Sequence, residues 1–180
     1  MRVLKWILII VAVIVLIIVG FLAYMGMFSP IKVHEAQMGP FTIAYESFTG
    51  PYAQTGPVFT KVYNALKAEG INSSMGLGIY YDNPAGIPAD KLRSDCGAVI
   101  DKKDLAKLKK FKVKTLAQKD SLVIEFPIRN IFSYMIGPMK AYPVLMKHAA
   151  EKGYKILMTY ELYDEANGKM FFVMVVGKGK

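Results

Sequence analysis

The chain has 180 residues, 23 of them basic and 14 acidic, for a net charge of +9, a length that leaves one extramembrane domain of ordinary size. A single cysteine excludes an internal disulfide, so the fold must be held by packing. Arginine is scarce and no aromatics interleave with the basic residues, which argues against a nucleic-acid partner.

Residues Trp6 to Ile31 carry no charge, and Trp6 to Leu22 are almost purely aliphatic. A helix needs about 20 apolar residues to cross a roughly 30 Å hydrocarbon layer. The expected organisation is a transmembrane anchor over residues 1–28, meeting the lipid bilayer through residues 6–25, then a linker over 29–34 and one domain over 35–178. Arg2 and Lys5 precede the span, whereas Lys32 and Glu35 are the nearest charges after it. The positive-inside rule then predicts a single-pass protein with a cytoplasmic N-terminus and the domain on the periplasmic or extracytoplasmic side. A cleaved signal peptide would have a shorter apolar run, about 7–15 residues, ending in small residues. Here the run is longer, and cleavage after Ala23 would put Phe21 where a small side chain is wanted. The expectation is therefore a retained anchor.

Beyond the span, Ser29-Pro30 breaks the helix, and Lys32 to Pro40 reads as a linker running into a strand. FTIAYESF (41–48) alternates as a strand does. A helix follows, capped by Thr55 or Gly56, with Pro57 in its first turn and Gly70 at its end. Its apolar stripe is Val58, Phe59, Val62, Tyr63 and Leu66. GLGIYY (76–81) and the segment near Cys96–Ile100 read as strands. Lys102, Lys103, Lys107, Lys109, Lys110, Lys112, Lys114 and Lys119 form a basic cluster, read as a solvated face that guards a strand edge. FKVKTLAQ (111–118) and SLVIEFPI (121–128) read as strands joined by a tight hairpin at Lys119-Asp120. A helical region spans Tyr134 to Lys152, with Tyr142, Leu145, Met146 and Ala149 as its buried stripe. Pro143 within it predicts a kink or a restart. YKILMTYELYDE (154–165) and KMFFVMVV (169–176) close the chain as strands around a turn at Ala166-Asn167-Gly168.

Two halves, about 35–100 and 111–176, share this order of strand, helix opening near Gly-Pro, and strand pair. Ile79-Tyr80-Tyr81-Asp82 corresponds to Glu161-Leu162-Tyr163-Asp164. The expected fold is α+β: a duplicated β-α-β-β unit, with antiparallel sheets, two covering helices and a pseudo-twofold cleft. The positions of His34, His148 and Cys96 make no metal-ligand spacing. Nor is there a nucleophile elbow or a phosphate loop. No metal or cofactor is expected.

FTGPYAQTGPVFTKVYNALKAEG (48–70), GIYYDNPAGIPADKLRSDCGAVI (78–100) and YELY (160–163), in this order, resemble the GyrI-like (gyrase-inhibitor-like) small-molecule-binding superfamily, which includes effector-binding domains. A subset of that superfamily carries a membrane helix directly before the domain. The resemblance implies an aromatic pocket between the halves and a glutamate at the position of Glu161 that meets lipophilic cations. Some members are hydrolases of strained cyclopropane-containing compounds, and there too Glu161 is the matching acid. By residue type alone Glu161 suits either an exposed strand face or the cleft; the resemblance places it in the cleft. There it would be desolvated, with a raised pKa. Tyr45, Tyr81 and Tyr163 fall on strands flanking the expected cleft and are the candidate aromatic lining. Three functions follow from this reading. The first is tethered binding of a small hydrophobic or cationic ligand by Glu161, Tyr163, Tyr81 and Tyr45. The second is hydrolysis of a strained electrophile with Glu161 as the catalytic group. The third is a membrane adaptor without a ligand.

Overall fold

The computed structural model describes residues 2–73, 75–108 and 110–179; Lys109 of the basic cluster lies outside them. The first element is helix α1 (Arg2–Tyr24). Its segment Val3–Tyr24 is long and apolar enough to cross a membrane, with a mean hydropathy of 3.3; among the described residues only its last turn, which carries Phe21 and Leu22, touches the domain. Just past it, Met25 is 0% exposed and packs into the domain core with Leu122, Phe126 and Ile136.

The domain consists of β1 (His34–Met38), β2 (Phe41–Thr49), α2 (Gly56–Ala68), β3 (Gly76–Tyr80), β4 (Arg93–Val99), β5 (Lys112–Leu116), β6 (Lys119–Pro127), α3 (Ser133–Glu151), β7 (Tyr154–Asp164) and β8 (Lys169–Lys178). All eight strands join one antiparallel sheet in the order β1-β6-β8-β7-β3-β4-β2-β5. The order is symmetric about the β3–β7 seam: β3-β4-β2 on one side mirrors β7-β8-β6 on the other. The two sheets expected from the duplication are therefore fused edge to edge into one curled sheet.

The outer strands are exchanged between halves. β1 leads into β2 but pairs with β6, His34 opposite Val123 and Met38 opposite Lys119. β5 leads into β6 but pairs with β2, Phe41 opposite Leu116 and Tyr45 opposite Lys112. This overturns the expected hairpin at Lys119-Asp120. Both residues belong to β6 and pair with Met38 and Gln37. The chain passes from β5 to β6 without folding back, because each strand finds its partner in the opposite half.

Helix α2 starts as its sequence dictates, with Thr55 at the N-cap, Pro57 in the first turn, and a stop at Gly70, whose φ of +72° suits glycine. It buries Val62 and Leu66 against Ala44 and Ala98, while Tyr63 stays exposed. Helix α3 runs unbroken through Pro138 and Pro143. It buries Ile136, Ala141, Leu145 and Ala149 on β6 and β8, and ends before Gly153 (φ +66°). Met146 falls outside the buried stripe and is exposed. On the opposite face of the sheet, Ile43, Leu77, Ile79, Tyr160, Leu162 and Val173 form a second core. Strand alternation thus delivers apolar side chains to both faces.

Candidate functional site

A buried carboxylate stands at the seam. Gly78 of β3 pairs with Glu161 of β7. Next along the sheet, Cys96 pairs with Gly78 and Phe172 pairs with Glu161. Directly paired residues share a face, so Glu161 points to the side covered by α2 and α3. It is 5% exposed. Gly78 opposite it has no side chain; a methyl group there would come within 3.0 Å of the Phe59 and Tyr80 rings.

Among the described residues, hydroxyls alone hold the carboxylate. Tyr142 of α3 donates to Oε1 at 2.8 Å, and Tyr163 of β7 donates to Oε2 at 2.7 Å. Among the described residues no basic side chain pairs with it. Burial pushes the Glu161 carboxyl up to about 7, and the two tyrosine hydrogen bonds pull against that. The same burial, together with the Glu161 charge, holds Tyr80, Tyr142 and Tyr163 well above the ordinary phenol value. These tyrosines are therefore neutral donors at any physiological pH.

A second layer of rings encloses the first. The Tyr80 and Tyr163 hydroxyls are 2.8 Å apart. Phe59 of α2 meets the Tyr163 ring edge to face at 5.3 Å, and Tyr134 of α3 lies 5.7 Å from the same ring. Tyr142 packs edge to face on Phe172 at 5.8 Å. The two helices thus converge over Tyr163 and close the approach to Glu161. Two surface cavities lie elsewhere. One of about 170 Å³ sits among Ser29, Lys32, Glu125 and Arg129, and one of about 350 Å³ among Glu35, Asp120, Tyr154 and Lys178.

The structure brings together two of the four sequence-selected residues, Glu161 and Tyr163. Tyr81 and Tyr45 lie on the opposite face of the sheet. There the Tyr81 hydroxyl donates to Asp95 at 2.6 Å, Lys114 donates to Tyr81 at 2.8 Å and ion-pairs with Asp95, and the Lys114 ammonium sits 4.2 Å from the centre of the Tyr45 ring. Burial works against the charge on both Asp95 and Lys114, but their mutual contact together with hydrogen bonds to Tyr81 and, for Asp95, Ser47 outweighs it, leaving the carboxyl below and the ammonium above their ordinary values. One member of the basic cluster is thus a half-buried partner of a buried aspartate.

Sequence reasoning missed Tyr142 and Tyr80 as members of the Glu161 site. Tyr142 was legible only as part of the buried stripe of α3. Tyr80 was hidden by its neighbour, because the correspondence of Tyr81 with Tyr163 is out of step by one residue. The register puts Tyr80, two residues after Gly78, on the same face as Tyr163, two residues after Glu161. Among the described residues no group of three or more His, Cys, Asp or Glu side chains suits a metal ion.

No known family profile matches the chain. It is 25% identical over 162 residues to human testis-expressed protein 264, an alignment covering 83% of this chain and 50% of that protein. The chain thus spans about half the length of that curated relative. Among solved structures, the C-terminal domain of EcmrR superposes with a TM-score of 0.58 at 16% identity, covering 82% of this chain and 98% of that one. SAV2435, solved bound to tetraphenylphosphonium, superposes with a TM-score of 0.52 at 16% identity, covering 81% and 94%. At these identities the solved structures speak to fold alone, and this chain shares the fold of the EcmrR C-terminal domain and SAV2435.

Proposed function

We propose that the chain is a membrane-tethered receptor for small lipophilic cations, with Glu161 as counter-charge and the rings of Tyr80, Tyr142, Tyr163, Phe59 and Tyr134 as walls. The observation that carries this reading is a carboxylate 5% exposed, hydrogen-bonded by two neutral hydroxyls and paired with no cation among the described residues. A buried charge without an opposite charge is costly. A cation entering the site would relieve that cost, and aromatic faces would add attraction of about 0.5–2 kcal/mol. An organic cation brings apolar surface for the rings, which a hydrated metal ion does not. Entry requires the Phe59 and Tyr134 rings to part above Tyr163. The tetraphenylphosphonium bound by SAV2435 is a ligand of this chemical class. The helix Val3–Tyr24 would hold the receptor where such compounds partition.

Calorimetric titration of the full chain in mild detergent with tetraphenylphosphonium tests the proposal. Saturable binding weakened at least tenfold by Glu161→Gln, a loss of about 1.4 kcal/mol or more, is the expected result. Binding unaffected by that substitution, or no saturable binding, overturns it.

A second reading rests on the carboxyl pKa of about 7. An acid poised there suits general acid–base catalysis, as hydrolysis of a strained electrophile requires. Turnover of such a compound, abolished in Glu161→Gln, would support this reading over simple binding.

A further inference from the structure

The start of α3 carries an apolar surface that the core does not use. Phe132, Met135 and Met139 recur at helical spacing on one side, and Ile131 directly precedes them. They are 47%, 58%, 62% and 74% exposed respectively. The other side of the same helix is buried through Ile136, Ala141 and Leu145. Helix α3 is thus apolar on two sides at this end, and one domain core accounts for only one of them.

The position of this surface relative to α1 is fixed. Phe21, in the last turn of α1, packs edge to face on Phe132 at 5.4 Å. Immediately after the helix, Met25 is locked in the core and accepts a contact from the Asn130 amide at 3.2 Å. The Lys140 ammonium donates to the carbonyls of Gly26 and Ser29, on either side of the exposed Phe28. The Arg129 guanidinium sits 5.2 Å from the centre of the Tyr24 ring. Four residues of the α3 region thus grip the end of α1, so the junction is a rigid joint. The interfacial layer on each side of a bilayer is about 5–7 Å deep. A ring 5.4 Å from Phe21 shares its depth to within that layer. Charge agrees with this placement. Arg129 and Lys140 flank the surface, and no acidic residue occurs between Arg129 and Lys147, a pattern suited to lipid phosphates.

We propose that Ile131, Phe132, Met135 and Met139 form a membrane-seating shelf, embedded at the headgroup–acyl boundary beside the end of α1, which fixes the domain in one orientation against the bilayer. The shelf rests on the reading of α1 as a membrane span. Tyr134, within the same turn of α3, points the other way and covers Tyr163. The shelf therefore adjoins the aromatic wall of the Glu161 site.

The test uses the full chain in vesicles of phosphatidylcholine and phosphatidylglycerol, with one nitroxide at a time on Met135→Cys, Met139→Cys, Ile14→Cys or Ile87→Cys; the native Cys96 is buried. Ile87 follows β3, at the end of the seam opposite to α3's start, because β3 and β7 are antiparallel. The expected result is a ratio of oxygen to nickel-chelate collision several-fold higher at 135, 139 and 14 than at 87. Labels at 135 and 139 as nickel-accessible as 87, with 14 shielded, overturn the shelf and leave the span standing. An aqueous label at 14 overturns the span and the shelf with it. Dipolar broadening between labels at 135 or 139 marks a second copy as the occupant, and overturns the shelf equally.

Discussion

The hydroxyls of Tyr80 and Tyr163 meet at 2.8 Å across the seam where β3 pairs with β7. Tyr163 spends its one proton on Glu161, so Tyr80 must be the donor in this pair. The direction of the relay is thereby fixed: Tyr80 to Tyr163 to carboxylate. Tyr163→Phe removes a hydrogen bond that favours the charged carboxylate, and the Glu161 pKa should rise above about 7, with an acid constant weakened on the order of tenfold. Tyr80→Phe acts through Tyr163 and should raise it less. Titration of the labelled glutamate carboxyl by NMR checks both; equal effects from the two substitutions would contradict the relay.

Stability should fall as pH rises. The Glu161 carboxyl titrates near 4.5 when free and at about 7 in the fold. Between those values the folded chain keeps a proton that the unfolded chain has released, so raising the pH favours unfolding. The loss begins above 4.5, is nearly complete past 7, and amounts to about 3 kcal/mol at about 1.4 kcal/mol per pH unit. Glu161→Gln should lack this component and be the more stable protein at pH 8. Urea unfolding in mild detergent at pH 5 and pH 8 gives the comparison, and parallel pH dependences for the two proteins would refute it.

Binding of a permanent cation should run the other way. Only the ionised carboxylate offers a counter-charge, so tetraphenylphosphonium should bind about tenfold more tightly at pH 8 than at pH 6, with a proton released on binding at pH 6. Titrations in buffers of different ionisation enthalpy detect that proton. Affinity independent of pH would remove Glu161 from the contact.

Gly137→Ala sets two effects against each other. Alanine is about 1 kcal/mol better than glycine within a helix. Its methyl group would, however, approach Cζ of Phe172 to 2.7 Å and Sδ of Met170 to 2.9 Å, both in the packed core beneath α3. Overpacking of this kind costs about 1–3 kcal/mol, so the net result should be destabilising. Thermal unfolding decides it; an unchanged or raised midpoint would mean that Phe172 swings aside freely.

Met25→Ala should destabilise the domain by about 2–4 kcal/mol, the range for a large core side chain cut to alanine, because Met25 is wholly buried although it lies outside every strand and helix of the domain. Urea unfolding of the full chain and its Met25→Ala variant measures this. A cost under about 0.5 kcal/mol would mean that α1 is attached to the fold without being part of it.

Most of the fold was legible because the residues that make it act locally. Alternation in 41–48, the apolar run in 169–176, the Gly56-Pro57 opening of α2, and the stops at Gly70 and Gly153 each fix an element without reference to the rest; Gly137-Pro138 does not, because α3 starts four residues earlier, at Ser133. Pairing was less legible, since nothing local in Lys119-Asp120 tells a tight turn from a strand entry; the distant β1 decides it. The site was half legible for a related reason. Residue type and resemblance selected Glu161 and Tyr163. Choosing between Tyr80 and Tyr81 needed the register, because a shift of one residue along a strand reverses the face. Tyr142 reaches Glu161 from a helix, a contact that strand periodicity does not contain.

The exchanged outer strands have a consequence for how the molecule comes into being. Each half contributes a strand that finishes the other's sheet, like two hands clasping each other's wrists. Synthesised alone, residues 35–100 would present β2 without β5, and residues 111–176 would present β6 without β1. Neither should persist as a monomer, whereas the two pieces mixed should recover the whole. Assembly must wait for contacts some 80 residues apart to close, which makes for slow folding. Were the rings over Glu161 to part for a guest, as proposed, the clasp would keep the halves from coming apart.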